Sequence, residues 1–274
     1  KEISIDHNSK IIWKDCPIGR LKKGHNYLNP EIEVTADEAL EEETKLKLEK
    51  FLKQWFESYI NEILGDLINL TKNRIENQYL RALVFQLFEK NGVIKRDEIE
   101  NIVRLIPAEE RKKLWGMGIK IGRYHVYLPK MLKPKAVEFR VSLWKIYNNL
   151  SRNEEIPKSG LNFIQNKKYE KNFLLLCGFE KFREFFIRID ILEKLFIKIL
   201  NCTKDRKFKI NTEMMNLLGC TKENFYKLMT YMNYKKDKSE DTYIFRGEKK
   251  ILNKLIKFDK KENPFKKLLT LNIK

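Results

Sequence analysis

The sequence predicts a mainly α-helical protein with small β elements: short N-terminal strands, a helical bundle and a C-terminal winged-helix-like domain. Three observations support this fold class. Apolar residues recur at three- and four-residue spacing through the middle of the chain, short alternating runs precede them, and helical and strand-like segments alternate in the last third. With 274 residues, the chain is long enough to bury the cores of one to three domains.

Shifts in composition and pattern divide the chain into five predicted parts. They are a short β segment (1–34), a helical domain (35–150) with a basic loop (111–135), a linker (151–172), a winged-helix-like domain (173–247) and a basic tail (248–274). The linker is assigned because that stretch is polar and contains Pro157 and Gly160. No internal repeat is apparent in the residues.

Three short strands are expected in the first part, at about 3–5, 11–13 and 18–21, because isoleucines there alternate with polar residues or form short apolar runs. Strands of this length bury little apolar surface alone. We therefore expect them to pack on the helices or to complete a sheet elsewhere.

Several helices follow, and their ends carry recognisable signals. The first is ended or interrupted at Gly65, and the second closes at Asn91-Gly92, a typical left-handed cap. Pro107 can occupy the first turn of the fourth helix, and Pro134 can start the helix after the basic loop. That last helix is apolar on two faces, so Trp144 is interpreted as a core residue rather than a base-stacking platform.

The last third has the order helix, strand, helix, turn, helix and hairpin, which is that of a winged helix. Asp190 and Glu193 are interpreted as the capping pair of its first helix, and Thr221 as the cap of its third. The predicted elements are a strand at 185–189, a helix at 191–200, a strand at 207–210, helices at 212–218 and 222–231, and hairpin strands at 234–238 and 242–246.

The charge is large and unevenly distributed. The formal net charge is +18, with a net −4 over residues 1–110, +9 over 111–145 and +13 over the remainder. In the middle window, Tyr124, His125 and Tyr127 lie among the cations, a combination that suits a nucleic-acid strand because cations bind phosphates and rings stack on bases. The alternative is a solvated basic face around buried Tyr and Leu side chains.

Three blocks of residues carry a family resemblance in colinear order. They are Trp13…Pro17-Ile18-Gly19-Arg20-Leu21 with Leu28-Asn29-Pro30; Gly122-Arg123-Tyr124-His125-Val126-Tyr127-Leu128-Pro129 with Leu132-Lys133-Pro134 and Leu143-Trp144; and Met215-Asn216-Leu217-Leu218-Gly219-Cys220-Thr221 with Tyr231…Tyr234. The chain resembles the C-terminal half of large alphaproteobacterial superfamily-two helicases, often called MgpS-like, which are related to the mitochondrial RNA-degradosome helicase. The resemblance implies an accessory region that follows the ATPase motor.

The chemistry expected of this chain is binding rather than catalysis. The sequence has no phosphate-binding loop and no acidic motif for Mg²⁺, so the resemblance implies that ATP and Mg belong to the motor of a parent helicase. The first residue is Lys1, which predicts a piece of a longer protein. Four dispersed cysteines favour a reduced, cytoplasmic chain without structural zinc, and no apolar run is long enough to span a membrane.

We predict that single-stranded or partly duplex RNA or DNA is one partner and that the motor domains of the same polypeptide are another. The candidate nucleic-acid-binding residues are cations and rings of the basic window and of the winged-helix-like domain. They are Lys120, Arg123, Tyr124, His125, Lys130, Lys133, Lys135, Lys222, Lys227, Lys235, Lys236 and Arg246. No catalytic, cofactor-binding or metal-binding residue is predicted, and His125 is interpreted as either a phosphate contact or a packed side chain.

Two other functions remain open at the level of sequence. One is a protein-interaction scaffold that docks motor domains or a nuclease, with the charge serving solubility. The other is a free-standing winged-helix DNA-binding regulator, which leaves the long helical section without a role. The helix at 222–231 either contacts nucleic acid or only packs.

Overall fold

The structure is a computed structural model that describes residues 3–6, 8–35, 41–149, 155–165, 170–238 and 241–244. About 52% of it is helical and about 23% is in strands of small sheets, so the predicted class, mainly α with small β elements, is confirmed. None of the described helices is long and apolar enough to cross a bilayer.

The N-terminal strands form one antiparallel sheet in the order β1-β2-β3-β4. Its strands are β1 (Ile3–Ile5), β2 (Lys10–Trp13), β3 (Cys16–Asn26) and β4 (Asn29–Val34). The sequence predicted three strands and missed β4, whose alternating Glu and Ile residues pair with β3. As expected, the sheet packs on helices: Ile11 and Leu21 are buried in the same core as Leu52.

The helical part consists of five helices and a second small sheet. Its elements are α1 (Glu42–Lys72), α2 (Gln78–Glu89), β5 (Val93–Lys95), α3 (Arg96–Leu105), α4 (Ala108–Gly116), β6 (Lys120–Ile121), β7 (His125–Tyr127), a 3-10 helix (Pro129–Leu132) and α5 (Pro134–Tyr147). The predicted interruption at Gly65 is confirmed, because α1 is kinked at the preceding Leu64 (φ −113°, ψ 17°).

The predicted cap at Asn91-Gly92 is also confirmed. Asn91 (φ 57°) and Gly92 (φ 83°) are both left-handed, and their N–H groups donate to the carbonyls of Phe88 and Leu87 at the end of α2. This cap turns the chain directly into β5.

The prediction of a basic loop over residues 111–135 is wrong for most of its length. Arg111 lies in α4, and the residues that follow form β6, β7 and the 3-10 helix before α5 begins at Pro134. The apolar side chains of Val126 and Leu128 are completely buried and order this segment despite its charge. Cations are therefore presented from a folded surface.

The C-terminal part contains two further three-stranded sheets, with orders β8-β10-β9 and β11-β13-β12. Its elements are β8 (Phe163–Gln165), α6 (Lys171–Leu176), β9 (Phe179–Phe182), β10 (Phe185–Arg188), α7 (Ile189–Cys202), β11 (Lys207–Lys209), α8 (Thr212–Leu218), α9 (Lys222–Tyr231), β12 (Lys235–Lys236) and β13 (Thr242–Ile244). Strand β8 falls inside the stretch predicted to be a linker. Arg246 and the tail 248–274 lie outside the described residues.

The predicted capping pair at the start of α7 is wrong. The helix begins at Ile189, two residues earlier than expected, and Arg188 occupies the cap position without a side-chain cap. Asp190 instead pairs with the Arg188 guanidinium at 2.6 Å, and Glu193 points away from its own helix end. The cap of α9 is as predicted: the Thr221 hydroxyl accepts the Asn224 N–H at 3.3 Å.

One order of elements occurs twice. The shared order is helix, strand, helix, helix and hairpin. The first unit consists of α2, β5, α3, α4 and the β6–β7 hairpin, and the second unit consists of α7, β11, α8, α9 and the β12–β13 hairpin. In both units the first strand pairs with the last, giving the sheet orders β5-β7-β6 and β11-β13-β12. The residues show no matching repeat, because different side chains satisfy the same helix and strand periodicities.

Candidate nucleic-acid interface

The β6–β7 hairpin is anchored by one carboxylate from the second unit. Glu193 on α7 accepts the backbone N–H groups of Arg123 at 2.6 Å, Tyr124 at 2.9 Å and His125 at 3.0 Å. Gly122 precedes these residues, and a Cβ placed there would lie 2.3 Å from the Glu193 carboxyl carbon. The glycine is therefore required by the close approach of the carboxylate, and the hairpin is fixed against α7.

His125 lies at the centre of this contact and is only 1% exposed. Its Nε2 is 2.8 Å from Glu180 Oε2 and its Nδ1 is 3.7 Å from Glu193 Oε1, while Lys95 also pairs with Glu180. Burial alone would lower the pKa of His125, but the two carboxylates outweigh it and raise the pKa. Of the two interpretations of His125, the packed one is correct, and the phosphate contact is excluded by burial.

Tyr124 also serves the contact between the units rather than an open surface. Its half-buried ring packs edge-on against Phe196 of α7, with ring centroids 5.9 Å apart. Burial and a hydrogen bond with Tyr234 raise its pKa. The predicted role of Tyr124 as a stacking ring is therefore corrected: its ring packs on Phe196 and its hydroxyl group bonds with Tyr234, both within the protein.

The net charge of the basic window is larger than the number of its cations that face solvent, and Arg140 shows why. The side chain is fully buried and donates to the carbonyls of Asn91, Met131 (2.7 Å) and Leu176 (3.0 Å), each at the C-terminal end of a helix. Burial lowers its pKa, and the negative ends of three helix dipoles compensate its charge. Arg140 is a structural junction between the helices.

Four of the predicted lysines, Lys120, Lys130, Lys133 and Lys135, are exposed, and this set is called the lysine row below. Lys120 and Lys133 have no ion-pair partner among the described residues, whereas Lys130 pairs with Asp66 at 2.9 Å and Lys135 with Glu62 at 3.1 Å. Exposed pairs contribute little to stability, so both ammonium groups can exchange a carboxylate for a phosphate at small cost. Arg123 is less available, because its half-buried guanidinium lies 5.7 Å from the Phe196 ring centroid.

The second unit presents a smaller group of cations on α9 and its hairpin. Lys222, Lys227, Lys235 and Lys236 are all exposed. Lys222 bonds to Asp241 at 3.3 Å, and the ammonium groups of Lys222 and Lys236 each lie 5.5 Å from the Tyr226 ring centroid. Lys222 and Lys236 therefore lie on the same tyrosine of α9.

Trp115 is a surface residue that the sequence prediction missed. It is 79% exposed near the end of α4 and lines a groove with Lys72 and Lys130. The signal in the sequence is a tryptophan directly after the run Arg111-Lys112-Lys113-Leu114, in which only the leucine faces the core. A large exposed ring beside cations belongs to the same candidate interface.

Trp144 is half-buried and packs against Phe173, with ring centroids 6.3 Å apart, which agrees with its interpretation as a core residue. No group of three or more potential metal ligands occurs in the part of the chain that the structure describes. Comparison of the chain with family models, curated proteins and solved structures finds no match.

Proposed function

We propose that this chain is the nucleic-acid-binding accessory region of an ATP-dependent superfamily-two RNA or DNA helicase. The observation that carries the proposal is the exposed row of Lys120, Lys130, Lys133 and Lys135 on a folded surface, at the centre of a chain with net charge +18. Cations held on a rigid surface bind a phosphate backbone without selecting bases. The resemblance in sequence supports the assignment to a helicase.

The second unit, α7 to β13, is proposed to be a winged helix. Its support is the element order together with the sheet order β11-β13-β12. In this proposal α9 is the third helix and β12–β13 is the wing. In helix-turn-helix proteins the later helix contacts nucleic acid. Lys222 and Lys227 on α9, with Lys235 and Lys236 in the wing, are the residues that would make such contacts here.

In this role the chain binds nucleic acid and catalyses no reaction. The lysines neutralise phosphates and release counterions, and the fixed hairpin holds the strand near the motor domains of the same polypeptide. ATP and Mg²⁺ would be bound by the motor. The purified chain is expected to show no ATP hydrolysis.

The test is binding of a fluorescent 20-nucleotide single strand, measured by anisotropy over a series of salt concentrations. Replacing the four lysines of the row with alanine should weaken binding about tenfold or more. It should also make the slope of log affinity against log salt less negative by about 3, because each phosphate contact on a single strand contributes about 0.7.

The matched control removes the same charge from elsewhere on the protein. It replaces four exposed lysines away from the row, namely Lys14, Lys47, Lys50 and Lys53. This control should bind with nearly wild-type affinity. Binding that is absent at low salt, or independent of salt, would refute the proposal and favour a protein-interaction scaffold, whereas preference for one duplex over its scrambled form would favour a regulator.

A further inference from the structure

We infer that the groove at the end of α4 is a stacking site for one unpaired base of a single-stranded nucleic acid, with Trp115 as the platform. The inference rests on the proposed function and adds a specific subsite to it. Its starting point is the exposure of Trp115, 79% of whose surface faces solvent. Such a ring contributes almost nothing to the core, while an aromatic face suits any base.

The position of Trp115 is rigid. Gly118 is left-handed (φ 76°), and its N–H donates to the Trp115 carbonyl at 3.0 Å, while the N–H of Ile119 donates to the carbonyl of Leu114 at 2.9 Å. Leu114 and Ile119 are completely buried. This hydrogen-bond pattern with its apolar contact is a Schellman cap, so the tryptophan projects from an ordered helix end rather than from a loose loop.

The groove has the size and the chemistry that a nucleotide needs. Its volume is about 460 Å³, within the range of small-molecule sites. Trp115 shares it with two cations, Lys72 and Lys130, and with the side-chain amides of Asn69 and Asn73. The ring can stack on the base, the amides can bond to base edges, and the ammonium groups can bind the flanking phosphates.

The charge at the groove favours an anion. Asp66 is the one carboxylate among the residues that line it, and Lys130 neutralises it at 2.9 Å. Lys72 is exposed and has no ion-pair partner among the described residues. A groove with two cations and one paired acid attracts a phosphodiester backbone.

Two features favour a nucleic acid over an apolar protein segment. Apart from Trp115, the residues that line the groove are mainly lysines, asparagines and glycines; of the two apolar ones, Leu70 is only 2% exposed and Met117 is half-buried, so little apolar surface is available. The groove also shares Lys130 with the exposed lysine row. A strand whose phosphate is bound by Lys130 is therefore already at the groove.

The test compares Trp115→Ala, Trp115→Leu and Trp115→Phe with a control, Phe85→Ala, which removes a 61% exposed ring from α2. The probes are a 12-nucleotide oligothymidylate, the matching oligouridylate, and an abasic DNA strand of the same length. Alanine and leucine should weaken binding of both base-containing strands about 5- to 150-fold. Phenylalanine should retain most of the affinity, and the control should bind like wild type.

The abasic strand separates stacking from charge. All variants should bind it equally, because it offers phosphates without bases. The inference is overturned if Trp115→Ala binds oligothymidylate and oligouridylate like wild type, if leucine replaces tryptophan without loss, or if the abasic strand loses affinity equally. Failure of the wild-type chain to bind any strand overturns the proposed function as well, whereas wild-type binding with no effect at Trp115 overturns this inference alone.

Discussion

Replacing Glu193 with alanine removes the carboxylate that holds the β6–β7 hairpin against the second unit. Three backbone donors, the N–H groups of Arg123, Tyr124 and His125, lose their acceptor, and the His125 ring keeps only Glu180. Only His125 is fully buried, whereas Arg123 and Tyr124 are half-buried and can regain water.

The magnitude follows from these exposures. A hydrogen bond to a charged group contributes about 1.5–3 kcal/mol, and a donor that regains water loses about 1 kcal/mol. One buried and two half-buried donors together give about 3–5 kcal/mol, which is also the usual cost of breaking a buried ion pair. At about 2–4 °C per kcal/mol, the melting temperature should fall by about 6–20 °C.

The assay is urea unfolding, followed by circular dichroism, of three variants beside wild type. Glu193→Gln keeps one acceptor oxygen but turns an amide donor toward the hairpin, so this variant should also lose a substantial part of its stability. The control Glu223→Ala removes an exposed carboxylate from the first turn of α9 and should cost less than about 1 kcal/mol. A Glu193→Ala protein within 1 kcal/mol of wild type would refute the reasoning that this carboxylate joins the two units.

Three further predictions concern the same region. Gly122→Ala should destabilise the protein by about 1–3 kcal/mol in urea unfolding, because its Cβ would overlap the Glu193 carboxylate. Leu128→Ala should cost about 2–5 kcal/mol in the same assay, since the side chain is completely buried; a loss below 1 kcal/mol would contradict that burial. Burial alone would lower the pKa of His125 and raise that of Glu180. Their mutual pairing outweighs burial, so the pKa of His125 is raised and that of Glu180 is lowered. Both residues should contribute to the free energy of unfolding between about pH 4.5 and 6.5. The contribution of His125 is lost as pH rises through its raised pKa, and that of Glu180 is lost as pH falls below about 4.5. The difference in unfolding free energy between wild type and His125→Gln, measured from pH 4 to 9, should shrink on the alkaline side; a flat difference would contradict the pairing.

The sequence was sufficient wherever a few neighbouring residues decide the outcome. Asn91-Gly92 correctly predicted the end of α2, Gly65 predicted the kink of α1, and Thr221 predicted the start of α9. Such caps and breaks are local features of the backbone. Apolar periodicity likewise predicted α1, α2, α3 and α5, whereas the short helix α6 was missed. The strand β4 was missed although Glu31-Ile32-Glu33-Val34 alternates in the sequence, because the run is short and only its pairing with β3 makes it a strand.

The candidate site was predicted less well, because charge in a sequence does not reveal exposure. Lys120 and Lys133 are as open as expected, while His125 and Arg140 are buried by partners far away in the chain. His125 pairs with Glu180, 55 positions away, and Arg140 binds the Asn91 carbonyl, 49 positions away. Trp115 lies two residues after a lysine pair, and the sequence is compatible with either a buried or an exposed side chain. Only the orientation of α4 on the core determines that Trp115 faces solvent.

By itself, the sequence determined the coarse fold class, several helix ends such as those at Asn91-Gly92 and Thr221, and the excess of positive charge, since these follow from residue type and from spacing within one or two turns. The tertiary structure decided which cations face solvent, which rings pack, and that one element order is used twice. The reason is that burial is a property of contacts between distant segments. Glu193 illustrates it best: its position suggested a helix cap, but α7 begins earlier and its carboxylate reaches the hairpin 68 to 70 residues away.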